Sequence, residues 1–147
     1  MREAIALARK NLQLGGRPFG AVLTRNGEVI ARGVNEIHIS GDPTAHAELL
    51  ALRDAGRVAK NPDLSGTIMY ASGHPCPMCM AAMHLAGVEH VYFAFSNEDG
   101  EVHGLSTAHV YEQMQKPPQQ QRLPLEPFKP EDAGDLYSEW AKKNAQN

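Results

Sequence analysis

Apolar residues first recur at helical spacing, with Ala4, Ile5, Ala8 and Leu12 on one face of a stretch that predicts a helix over residues 2–14. Gly15-Gly16-Arg17-Pro18 ends it. The pattern then shortens to two strand-like runs, 19–23 and 29–34, joined by Arg25-Asn26-Gly27-Glu28. Asn-Gly between apolar runs predicts a hairpin. Gly41-Asp42-Pro43-Thr44 breaks the chain and opens a helix over about 45–55, with helix-starting residues at its head. A short apolar strand follows at 67–71. After Ser72-Gly73 a further helix begins at Pro77 and stops at Gly87. Residues 88–95 form a nearly continuous apolar strand, the pattern expected when both sheet faces are covered. Five of the ten prolines fall within 116–130, which reads as an irregular arm, and a last helix over 131–143 carries Leu136, Tyr137 and Trp140.

Strands alternating with helices predict a three-layer α/β domain, and 147 residues fit a single domain over 1–147. The formal net charge of −3 gives no general attraction to nucleic-acid phosphates, so a nucleic-acid partner is not expected. No apolar run approaches the ~20 residues of a membrane helix. Glu3 and Arg9-Lys10 interrupt the start where a signal peptide would be apolar. A soluble, cytoplasmic protein is the expectation. The only cysteines, Cys76 and Cys79, share one Cys-x-x-Cys, which excludes a disulfide scaffold and leaves a redox pair or part of a metal site.

Two segments decide between these: Thr44-Ala45-His46-Ala47-Glu48 and His74-Pro75-Cys76-Pro77-Met78-Cys79. With Cys76 as N-cap and Pro77 as first helical residue, Cys79 falls on the same face and both sulfurs reach one ion. The positive helix end favours thiolates there. His46 adds a nitrogen at the start of another helix. One His and two Cys make a three-ligand zinc site with an open position, the pattern of a catalytic centre. Water at that position, its pKa lowered toward ~7, gives a hydroxide able to attack an amino-bearing ring carbon. Glu48 stands beside the metal to take the water proton, pass it to the ring nitrogen and help ammonia leave.

His-Ala-Glu followed by Pro-Cys-Pro-Met-Cys resembles the cytidine deaminase-like superfamily of zinc deaminases. Pro18-Phe19-Gly20-Ala21-Val22, the run from Asp42 to Glu48, and the run from Pro75 to Cys79 are similar to its guanine deaminase branch, over roughly residues 1–115. The resemblance implies a three-layer α/β/α fold on a five-stranded mixed sheet, one zinc per chain, and hydrolysis of a nucleobase or nucleoside. It also implies Asn35 as a hydrogen-bonding partner of the base, Phe19 and Ala47 along the pocket, and a homodimer; His74 itself is expected at the pocket rim, and the proline-rich arm suits exchange of the C-terminal segment. Glu commonly stands where this chain has His74, and the stretch from Gly104 to His109 has no carboxylate. A pterin, a triazine, a cytosine-type base or tRNA adenosine therefore stay open as substrates, and a non-catalytic zinc-stabilised module is the rival of a different class.

Overall fold

The computed structural model describes residues 1–145, and they divide into two compact units, Met1–Glu112 and residues 113–145. The first unit runs α1 (Arg2–Gln13), β1 (Gly20–Arg25), β2 (Glu28–Val34), α2 (Ile37–Ser40), α3 (Ala47–Ala59), β3 (Thr67–Gly73), α4 (Pro77–Ala86), β4 (His90–Phe95) and α5 (Asn97–Glu101), and ends within α6 (Ala108–Met114). The second holds a 3-10 turn at Pro118–Gln120 and α7 (Leu136–Asn144). No helix among the described residues is long and apolar enough to cross a membrane.

The sheet order is β2-β1-β3-β4, with β1 antiparallel to both neighbours and β3 parallel to β4. The β1–β2 turn places Asn26 and Gly27 at φ 52° and 82°, the left-handed pair that closes a two-residue hairpin. Side-chain alternation along β1 then assigns the layers. Ala21 and Leu23 join Ala47, Ala51, Leu52, Met69 and Met83 in the core beneath α3 and α4. Gly20 faces the other way, where an added methyl would meet the Ala4 carbonyl at 2.5 Å and the Ala8 amide at 2.8 Å in α1. Helices thus cover both faces of β1, and its first five residues are buried.

Five expectations change, the last helix among them: it begins at Leu136, capped by Asp135, where 131 was expected. The sheet has four strands among the described residues, where five were expected. Leu123 and Leu125 alternate as a strand would, but Pro124 and Pro127 lack the N–H donors a ladder needs, and the segment stays irregular. Residues 90–95 form a strand whose faces are only partly covered: Val91 packs on the core, but β4 is the sheet's edge, and Tyr92, Phe93 and Phe95 are about half exposed. On α1 the buried stripe is Ala4, Ala8 and Asn11, and Leu12 is exposed. The helix after the Gly-Asp-Pro-Thr break passes through Gly56 to Ala59, and ends where Lys60 turns left-handed. Helices α2, α5 and α6 were not expected, although Ser96 and Asp99 form a capping box that marks the start of α5.

Candidate active site

Two helix starts face each other across one edge of the sheet. His46 is the N-cap of α3 and Cys76 the N-cap of α4, both with extended backbones. Neither caps its own helix through its side chain, so imidazole and thiol turn outward. Pro77 at the first helical position fixes the backbone where an amide would have no intrahelical acceptor. Cys79 follows within the same turn. Its Sγ lies 3.5 Å from that of Cys76. His46 Nδ1 is 3.4 Å from Cys76 Sγ and 3.6 Å from Cys79 Sγ.

This triangle can be tested against the ion it would hold. Tetrahedral zinc, with bonds of about 2.3 Å to sulfur and about 2.0–2.1 Å to nitrogen, sets its ligand atoms roughly 3.5–3.8 Å apart. The observed separations fit, and the donor set of one imidazole and two thiols is one that zinc takes. Glu48, the second residue of α3, is buried beside the triangle, with Oε2 3.5 Å from Cys79 Sγ. Residues two apart on a helix point about 200° away from each other. His46 escapes this because its backbone is not yet helical, so it and Glu48 approach the same point from different directions.

The electrostatics are those of crowded acids. Burial raises Glu48 above the usual carboxylate range, and the nearby Cys76 charge adds to this. Cys76 is lowered to about 4, chiefly by the Cys79 thiol and then by the His46 hydrogen bond. Cys79 is pushed up by the Cys76 interaction, by burial and by the Glu48 charge. His46 is raised mainly by its hydrogen bond to Cys76. A divalent cation at the centre would let both sulfurs be thiolates and still leave Glu48 as a proton carrier.

The residues expected around this centre occupy the same sheet edge. Asn35, immediately after β2, is buried; its backbone amide donates to the Phe19 carbonyl at 3.1 Å. Its Oδ1 accepts from the Ile37 amide at 3.3 Å. The neighbouring Glu36 amide donates to Ala45, one residue before His46. Phe19 lies over Gly73, where an added methyl would come within 2.8 Å of its ring. Ala47 is buried as the first residue of α3. The His74 ring stacks on Phe93 at 4.6 Å and tilts against Tyr111 at 5.5 Å.

Three supporting residues went unnoticed in the sequence. Asn11 Nδ2 donates to the carbonyls of Arg17 at 2.8 Å and Asn35 at 2.9 Å, tying the two loops together. A polar residue in register with Ala4 and Ala8 was the available signal. Ser72 Oγ accepts the Gly20 amide at 3.0 Å, and Tyr111 donates its hydroxyl to the Pro75 carbonyl at 2.6 Å. Neither carries a motif.

Residues 1–95 match the profile of the cytidine and deoxycytidylate deaminase zinc-binding region. The guanine deaminase of Bacillus subtilis (strain 168) is 37% identical over 126 residues, 85% of this chain and 81% of that protein. The tRNA-specific adenosine deaminase of Aquifex aeolicus is 32% identical over 147 residues, 100% of this chain and 95% of that one. Among solved structures, the B. subtilis guanine deaminase superposes with a TM-score of 0.86 at 34% identity, covering 97% of this chain and 90% of its own. A guanine deaminase from Nitrosomonas europaea superposes with 0.68 at 30% identity over 72% of this chain and 62% of that chain.

Proposed function

Starting from a chain that belongs to the family of the cytidine and deoxycytidylate deaminase zinc-binding region, we propose that this zinc-dependent deaminase acts on a purine base of the guanine type. The observation that carries the substrate reading is the structural likeness: the B. subtilis guanine deaminase superposes over 97% of the chain with a TM-score of 0.86. His46, Cys76 and Cys79 hold the zinc and Glu48 is the catalytic carboxylate. Bound zinc supplies Lewis acidity, lowering the pKa of water toward ~7. Glu48 would take one proton from the attacking water and deliver it to the ring nitrogen next to the amino-bearing carbon, then take the second from the added oxygen and give it to the departing amine. Its buried site favours holding a proton between these transfers. The balance is one water consumed, the C–N bond broken, a ring carbonyl formed and ammonia released.

Asn35 Nδ2 serves as a donor to the base, Phe19 as an apolar wall, and the Ala47 amide as one of the first-turn N–H groups that have no intrahelical acceptor. His74 borders the pocket through the loop that carries Cys76. The enzyme works as a homodimer in which residues 113–145 of one copy lie against the other. Supporting this, Leu123, Leu125, Phe128, Leu136, Tyr137 and Trp140 are all exposed.

The full-length likeness to the A. aeolicus enzyme favours a second reading, deamination of adenosine in tRNA. Ammonia release by the zinc-loaded protein on guanine, 2,6-diaminopurine, cytosine, a pterin, an aminotriazine and unmodified tRNA separates the two. Guanine or a close amino-purine is expected to have the highest kcat/KM. Turnover of tRNA alone overturns the first reading in favour of the second.

A further inference from the structure

We propose that Tyr111 is a positioning residue for the zinc centre, acting through the peptide that joins Pro75 to Cys76. That peptide leads directly into the Cys76 ligand. Pro75 is fully buried, and a buried carbonyl needs a donor. Tyr111 supplies it at 2.6 Å from α6, a helix beyond the matched zinc-binding region. Because the peptide unit is planar, fixing the Pro75 oxygen also fixes the direction in which the Cys76 backbone leaves.

The preceding residue is held as well. The His74 amide donates to the Phe95 carbonyl at 2.8 Å, carrying the β3–β4 pairing one step past β3. The His74 imidazole lies on Phe93 at 4.6 Å, with ring planes 22° apart, and Tyr111 leans on it at 5.5 Å. Phe93, His74 and Tyr111 thus form one stack that aims the phenol at Pro75. Rotation of the Pro75–Cys76 peptide would swing Cys76 Sγ away from the 3.4 and 3.5 Å separations it keeps with His46 and Cys79. Cys79, inside the first turn of α4, is oriented by the helix itself. Cys76, the N-cap, is held by the helix through its carbonyl alone, which accepts from the Met80 amide at 3.0 Å, and takes the support on its N-terminal side from Tyr111.

Groups that orient metal ligands through hydrogen bonds typically change metal affinity ~10–100-fold when removed. Tyr111→Phe keeps the ring and the stack and deletes only the hydroxyl. It is expected to lower zinc affinity at least ~10-fold in competition with a chromogenic chelator, to narrow the gain in Tm on zinc binding, and to shift the visible bands of the cobalt-substituted protein. A merely structural tyrosine would lower the Tm of metal-free and zinc-loaded forms alike and leave affinity and cobalt bands unmoved; that result overturns the proposal. If Tyr111→Phe does not fold, Phe93→Leu, which removes the base of the stack, carries the test: a smaller loss of zinc affinity is expected, and unchanged affinity overturns it. The clamp rests on the zinc assignment. Wild-type protein that binds no zinc defeats that assignment, whereas zinc-loaded wild type with an indifferent Tyr111→Phe defeats the clamp alone.

Discussion

Residues 1–112 and residues 113–145 use their apolar side chains in opposite ways. Among the described residues, every buried one lies in the first unit, from Ala4 to Asn97. In the second, six large apolar residues between Leu123 and Trp140 are exposed by two-thirds or more. A segment this short cannot bury a core of its own; below about 40 residues a chain needs a staple or a partner. The first unit contains His46, Cys76, Cys79 and Glu48, while the apolar residues of the second are available to another surface. Substitutions in the first unit should remove the chemistry, and those in the second should change assembly and leave zinc in place.

The largest effect is expected at the ligands. Cys76→Ser or His46→Ala should reduce zinc from one per chain to a small fraction and take ammonia release to background, measured by metal analysis and coupled assay on the same sample. Full zinc content in both variants would mean that the metal sits elsewhere. Next comes Glu48→Gln, which keeps the shape of the side chain and removes its acid–base capacity. Zinc content should stay at one per chain while kcat falls by ~10²–10⁴-fold. Zinc lost together with activity would make Glu48 structural.

Gly33→Ala tests the scaffold of the same unit. Gly33 lies under α3, and an added methyl would collide with the Ala47 carbonyl and sit 2.9 Å from the Ala51 amide. Both are backbone atoms, so no side chain can move aside. Destabilisation of about 1–3 kcal/mol or more is expected by chemical denaturation, and an unchanged midpoint would show that the helix can shift. Trp140→Ser is the counterpart in the second unit. Large buried aromatics carry a disproportionate share of interface energy, so the proposed dimer should dissociate at least ~10-fold more readily in dilution experiments. Zinc content should not change. A monomeric wild type would remove the proposed exchange.

The chemistry was legible from local sequence because it depends on short spacings. Cys76 and Cys79 in one turn, Pro77 at the first position and His46 two residues before Glu48 each constrain geometry within a few residues. The hairpin was legible for the same reason, through Asn26 and Gly27. Contacts over long separations were not. Tyr111 reaches Pro75 across 36 residues, and Asn11 reaches Asn35 across 24. A tyrosine or asparagine has no local feature that names its distant acceptor. The reading of β4 erred for a related reason: an apolar run reports that burial is wanted, without saying whether the same chain provides the cover. Leu12 and Asn11 trade places because the α1 stripe is set by the close approach of Gly20 to Ala4 and Ala8, which hydrophobicity alone does not show.

The smallest expected effect concerns His74, which stands where the comparison between shared chemistry and individual substrate is narrowest. Guanine presents a ring N–H and an amino group on one edge, both donors, whereas 2,6-diaminopurine places an acceptor at that ring nitrogen. A carboxylate offers acceptors only, while neutral histidine offers one donor and one acceptor. His74→Glu should therefore raise the ratio of kcat/KM for guanine to that for 2,6-diaminopurine by about 3–10-fold, a fraction of the discrimination a fully built polar site achieves. The stack on Phe93 is lost in the same variant, and aromatic pairs of this kind contribute about 0.5–1.5 kcal/mol. Both rates are thus expected to fall somewhat, and the ratio is the quantity that reports specificity. His74→Gln separates the two effects, since it removes the ring without adding charge. If both variants slow the two substrates equally, His74 serves only to support Tyr111, and specificity for the base is set on the Asn35 side of the zinc.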